Sequence, residues 1–153
     1  MSFERTLLGE DQQTKDELSD IQTGARGIGV LNALIGIIGF AGPAVKGNDD
    51  RGLINMKPGL FLGLVAVNAG HNLLHIMFGV LGVQASRNAE SSYQYMGFCT
   101  AFFGLFSAAV WKEVKFDRDI HIIGGVAMNW WANLGHILLS AFSFLTVIQS
   151  DSQ

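Results

Sequence analysis

Apolar residues in this chain gather in four long runs instead of on alternating faces. Residues 27–45 carry Asn32 as their only polar side chain, and residues 59–83 hold no acid or base other than His71 and His75. Residues 96–111 and 122–148 read the same way. A bilayer core roughly 30 Å thick needs about 20 apolar residues of helix, so each run predicts one membrane-crossing helix, the third with its flanking residues 91–95. A soluble bundle needs a polar face on every helix, and these runs offer none. The pattern therefore predicts an all-α, integral membrane four-helix bundle.

The second and fourth runs are copies of each other. Gly63, Val65, Ala66, Asn68, Asn72, Leu73, His75 and Ile76 recur at an offset of 61, as Gly124, Val126, Ala127, Asn129, Asn133, Leu134, His136 and Ile137. The first and third runs align at an offset of 68, which sets Gly29, Ala33 and Gly36 on Gly97, Ala101 and Gly104. Repeat one covers 24–84 and repeat two 92–149, within a transmembrane domain of 24–149 that follows a polar, acidic arm of 1–23. A helix pair is an even number of crossings, so both copies enter from the same side, as tandem parallel-topology repeats about an axis along the membrane normal. His75 and His136 are expected at equal depth on helices two and four.

Composition adds limits. Charged residues make up 15% of the 153, and nearly all of them fall at 1–26, 46–57, 87–90 and 112–119, outside the runs. The arm has no basic start and no small-residue cleavage site, so the first helix is expected to stay in the mature protein. A net charge of −3 without a basic cluster excludes a nucleic-acid partner. Lys46, Arg51, Lys57, Lys112, Lys115 and Arg118 in the first and third loops outnumber Arg5, Lys15, Arg26 and Arg87 by six to four, which favours those loops on the cytoplasmic side. The lone Cys99 has no partner for an internal disulfide and is expected to pack as a small hydrophobe.

The candidate chemistry is the Asn-x3-Asn-x2-His motif that ends each long copy. Read as helix, Asn68, Asn72 and His75 share one face, as do Asn129, Asn133 and His136, and His71 joins the first stripe. Polar groups in hydrocarbon need partners, so the stripes should turn inward and meet. Three readings follow. The amides and rings are internal glue at about 1 kcal/mol per contact; or the imidazoles ligate haem iron or chlorophyll magnesium; or the stripe is a path for protons or a small solute. The last lacks an intramembrane acid. A zinc pair of His71 and His75 has no carboxylate or thiol nearby in sequence, so no metal site is assigned.

The glycines Gly29, Gly36, Gly63, Gly97 and Gly104 read as places of close helix packing. Trp111, Tyr93 and Tyr95 suit an interfacial aromatic belt, whereas Trp130 and Trp131 fall in mid-helix on this reading. His121 opens the fourth helix and is expected to be solvated. With Phe98, Phe102, Phe103 and Phe106, the two tryptophans offer more aromatic surface than four helices need, which suggests a larger membrane complex or homo-oligomer besides the lipid bilayer as partner. No nucleophile sits beside a base and no paired carboxylates occur, so the chain is expected not to be an enzyme.

Through Val67-Asn-Ala-Gly-His71-Asn-Leu-Leu-His75-Ile-Met-Phe-Gly79 and Asn129-x3-Asn133-x2-His136, the chain resembles a widespread bacterial and cyanobacterial family of small four-helix membrane proteins classed as a domain of unknown function. The resemblance covers about 24–148, and it implies a bacterial inner membrane or a cyanobacterial thylakoid. Two positions depart from the pattern: Ala132 stands where the first copy has His71, and Ser140 where it has Gly79. Only His75 and His136 then keep a symmetric case. The function expected is a small accessory or scaffold protein whose Asn/His core holds the bundle, with a haem- or chlorophyll-binding subunit of a photosynthetic or respiratory complex as the alternative.

Overall fold

The computed structural model describes residues 18–49, 52–114, 116 and 119–150; most of the polar arm lies outside them. Four helices carry the chain: α1 (Asp20–Gly39), α2 (Ala69–Ala85), α3 (Ala89–Val110) and α4 (Trp130–Ser150). Helix α1 starts at Ser19, whose backbone N–H donates to Gln22 Oε1 at 3.2 Å, and α3 starts at Asn88, whose side chain accepts from Ser91 N at 2.8 Å. Helices α1 and α4 are long and apolar enough to cross a membrane. Helix α2 has 17 residues, and α3 opens with the polar stretch 90–94, which lowers its hydropathy.

The all-α expectation needs correcting. Residues 59–67 and 121–128, which the runs assign to helices two and four, fold as hairpins. Strands β1 (Val45–Lys46), β2 (Gly59–Phe61) and β3 (Val65–Val67) form an antiparallel sheet in that order, and β4 (His121–Ile123) pairs antiparallel with β5 (Val126–Met128). The reason lies in the turns. Gly124 and Gly125 take φ of 58° and 85° between β4 and β5, and Leu62 and Gly63 take 52° and 74° between β2 and β3. Positive φ at two successive residues closes a tight hairpin and cannot continue a helix.

Within each repeat the helices approach closely. A Cβ on Gly29 would lie 2.6 Å from Val83 N, and one on Gly79 2.5 Å from Ala33 N. A Cβ on Gly36 would run into the Asn72 carbonyl and lie 2.8 Å from Ile76 N, so α1 and α2 touch backbone to backbone. In the second repeat Ser140 replaces the glycine, and its Oγ donates to Thr100 O at 2.8 Å, with Gly104 facing that hydroxyl. Two glycines differ from expectation: Gly63 belongs to a hairpin turn, and a Cβ on Gly97 would meet nothing within 4 Å.

Between the pairs, Phe78, Tyr95, Met96, Cys99, Phe103 and Leu139 pack with Ile21, Ala25 and Ile28 of α1. Tyr95 is buried and its hydroxyl donates to Phe78 O at 3.0 Å, so it belongs to the core and not to an interfacial belt. A smaller cluster of Val110, Val114, Val126, Met128 and Ala132 seats the second hairpin on α3 and α4. Polar side chains are buried beside this apolar core, and large apolar ones are exposed. Asn32, Asn72, Ser92, Ser107, Asn129, Asn133 and Ser143 are buried, while Ile37, Leu73, Val80, Leu105, Leu138 and Phe142 on the four helices lie about half exposed or more.

Candidate functional site

The two copies of the Asn motif tie the hairpins together. Asn68 and Asn129 are not mid-helix: each is the residue before its helix, Asn68 with extended backbone at φ −153° and ψ 178°. Asparagine is a preferred helix N-cap because its side-chain oxygen meets free N–H groups of the first turn. Asn68 Oδ1 accepts from His71 N at 2.9 Å and Asn129 Oδ1 from Ala132 N at 3.0 Å. Each amide also reaches into the other repeat. Asn68 accepts from Ala127 N at 3.2 Å and donates to Gly125 O at 3.0 Å; Asn129 accepts from Ala66 N at 3.2 Å and donates to Leu64 O at 2.7 Å. Leu64 and Ala66 match Gly125 and Ala127 at the repeat offset of 61. The exchange is reciprocal and obeys the internal symmetry.

The second asparagines do not meet. Asn133 Nδ2 donates to Ser107 O on α3 at 3.3 Å, and the Asn72 amide presses on Gly39 of α1, the residue equivalent to Ser107. Both polar side-chain atoms of Asn72, Nδ2 and Oδ1, and the Oδ1 of Asn133 are buried without a partner among the described residues.

His75 and His136 are the seventh residues of α2 and α4, and their ring centroids are 5.7 Å apart. His71, one turn before His75, joins them at 4.8 Å from His75 and 5.5 Å from His136. The Nε2 atoms of His71 and His75 lie 3.0 Å apart. His71 Nδ1 contacts Ala127 O at 2.8 Å and His75 Nδ1 contacts Asn32 Oδ1 at 2.7 Å. A nitrogen from each of the three rings falls within 4.8 Å of the others. Phe103 packs tilted against His136 at 5.2 Å and Phe106 meets it edge-on at 5.6 Å. The cavity shared by these rings measures about 40 Å³, against about 300–1,000 Å³ for a pocket that takes an organic ligand. A porphyrin or chlorin does not fit between rings packed this closely, so the haem or chlorophyll alternative finds no support here.

Other residues also fall differently from expectation. Trp130 and Trp131 begin α4, and Trp130 packs on Trp111 at 5.2 Å and on Phe116 at 4.1 Å, forming an aromatic group beside the second hairpin. His121 is half-buried in β4, with its Nε2 enclosed and unpartnered among the described residues. Phe102 and Phe103 turn inward against Phe78, so less of the aromatic surface is left for a partner. Asn32 is the residue whose role the sequence does not assign. Its isolation as the only polar side chain in 27–45 was the signal, since a lone amide in such a run needs a polar neighbour.

The family described as Domain of unknown function (DUF4383) matches residues 22–149. The chain belongs to this family. The match takes in all but the first two residues of α1 and the last of α4, so both hairpins and the histidine group of this DUF4383 chain lie inside it. No curated protein and no solved structure matches the chain.

Proposed function

We propose that this DUF4383 protein is an integral membrane protein in which all four helices cross the bilayer, serving as a small accessory or scaffold component of a membrane assembly. The inverted polarity carries the reading. Asn32, Asn133 and Ser143 are wholly buried while Leu105 is 73%, Leu138 61% and Ile37 58% exposed. In water that arrangement leaves apolar surface on every helix unburied; in lipid it is the favourable one. Helix α2 spans about 25 Å at 1.5 Å per residue, and exposed Leu53, Ile54, Met56, Leu62 and Ile122 in and beside the hairpins extend the apolar band at that end.

The scaffold role is supported by rigidity. Close glycine packing locks the first pair, and the reciprocal asparagines lock the hairpins. Lys46, Lys57 and Lys112 lie exposed on the hairpin side, which favours that side as cytoplasmic; Arg51, Lys115 and Arg118 lie outside the described residues. Alkaline carbonate extraction of membranes followed by native electrophoresis in mild detergent tests both parts. The expected result is retention in the pellet and migration within a complex heavier than the monomer. Release into the supernatant contradicts the membrane part, and a lone monomer the accessory part.

A further inference from the structure

We propose that His71, His75 and His136 form a binding site for one late first-row transition-metal ion, zinc or copper. His71 Nδ1 lies 2.8 Å from the Ala127 carbonyl oxygen, which can only accept, so the ring nitrogen donates. His75 Nδ1 lies 2.7 Å from Asn32 Oδ1. The orientation of that amide is fixed, because Asn32 Nδ2 donates to Ile28 O at 2.9 Å; His75 Nδ1 therefore donates as well. Both Nε2 atoms then carry lone pairs, and these confront each other at 3.0 Å inside an apolar enclosure. Two facing acceptors repel unless a cation sits between them.

The third ring supplies a further ligand. His136 is 5% exposed and its Nδ1 has no partner among the described residues, because Thr100 stands where the first repeat has Asn32 and its hydroxyl bonds Met96 O instead. Zinc–imidazole bonds of about 2.0–2.1 Å set nitrogens about 3.4 Å apart on a tetrahedral ion. The His71–His75 pair is within a few tenths of an ångström of that spacing, and His136 closes the set by turning into the cavity of about 40 Å³ the rings share. Ala127 O and Asn32 act as the outer oxygens that orient ligating imidazoles. Three nitrogens without a carboxylate disfavour calcium and magnesium, which take oxygen ligands, and suit zinc or copper. The site is independent of the accessory role.

The purified full chain, carrying a tag free of histidine, is stripped with chelator in mild detergent and titrated with Zn²⁺ in one arm and with Cu⁺ under reductant in the other. Bound metal is counted by mass spectrometry after gel filtration. One equivalent of at least one ion is expected. His71→Ala is expected to fold, since the second repeat carries Ala132 at the same place, and to lose at least tenfold in affinity. Asn32→Ala should lose about 10- to 100-fold, and His121→Ala nothing. No retention in either arm, equal retention by His71→Ala, or a proton bridge between His71 and His75 that persists in ¹⁵N spectra with metal present overturns the proposal.

Discussion

Replacing Asn129 by alanine removes three hydrogen bonds at one stroke. The side chain is fully buried, caps α4 through Ala132 N at 3.0 Å, and holds the first hairpin through Ala66 N at 3.2 Å and Leu64 O at 2.7 Å. Loss of the cap costs about 1 kcal/mol, and the two bonds across the repeats about 1 kcal/mol each, for a total of about 3 kcal/mol. In a domain of this size each kcal/mol moves Tm by about 2–4 °C, so Asn129→Ala should melt about 6–12 °C below the parent protein. Asn129→Ser keeps a capping oxygen but cannot span to Leu64, and should lose about two-thirds as much. Asn68 is less buried, so water replaces part of its network and Asn68→Ala should cost about half as much. Circular dichroism melts in one detergent measure all three. A Tm for Asn129→Ala within experimental error of the parent would mean that the hairpins are not held by this exchange.

The glycines give a matched pair: Gly36→Ala drives a methyl into the Asn72 carbonyl and Ile76 N, whereas Gly97→Ala meets nothing within 4 Å. The first should lower Tm by several degrees, and the second should leave it level or raise it, since alanine gains up to about 1 kcal/mol over glycine in a helix; equal melts would contradict the packing. Leu62 is 68% exposed at a φ of 52°, so Leu62→Gly should stabilise by about 1 kcal/mol, and a drop in the melt would count against the turn. Tyr95→Phe removes the hydroxyl that donates to Phe78 O at 3.0 Å. It should cost about 1 kcal/mol in the same melts, and no change would show that this bond carries no net stability.

The four helices are legible because charge falls between them, apart from Asp20, Arg26 and Glu90 near the starts of α1 and α3. The hairpins were not, because 59–67 and 121–128 are as apolar as the helices that follow, and a short apolar run fits a buried strand as well as a buried helix. The turn signals were present in Gly124-Gly125 and in the asparagines that precede α2 and α4, where an N-cap competes with a mid-helix amide. Reading Asn68 as helical put it on a face with Asn72 and His75, whereas its partners are in the other repeat. The repeat itself was legible residue by residue, and it located His75 and His136 at the same place in their helices. What no spacing could show is a contact between residues 43 apart, Asn32 with His75. His71 is the place where the two copies diverge, Ala132 standing at the equivalent position, and that break gives the group its third ring.

Four crossings with both hairpins on one side can be read out by thiol labelling in sealed vesicles. Single cysteines replace Asp49, Arg87 and Lys112, all exposed and all outside the helices, in a Cys99→Ala background. A membrane-impermeant maleimide should label Asp49→Cys and Lys112→Cys from one side and Arg87→Cys only from the other. Labelling of all three from the same side, without breaking the vesicles, would mean that the α2–α3 turn and the hairpins share one face and that four crossings do not occur.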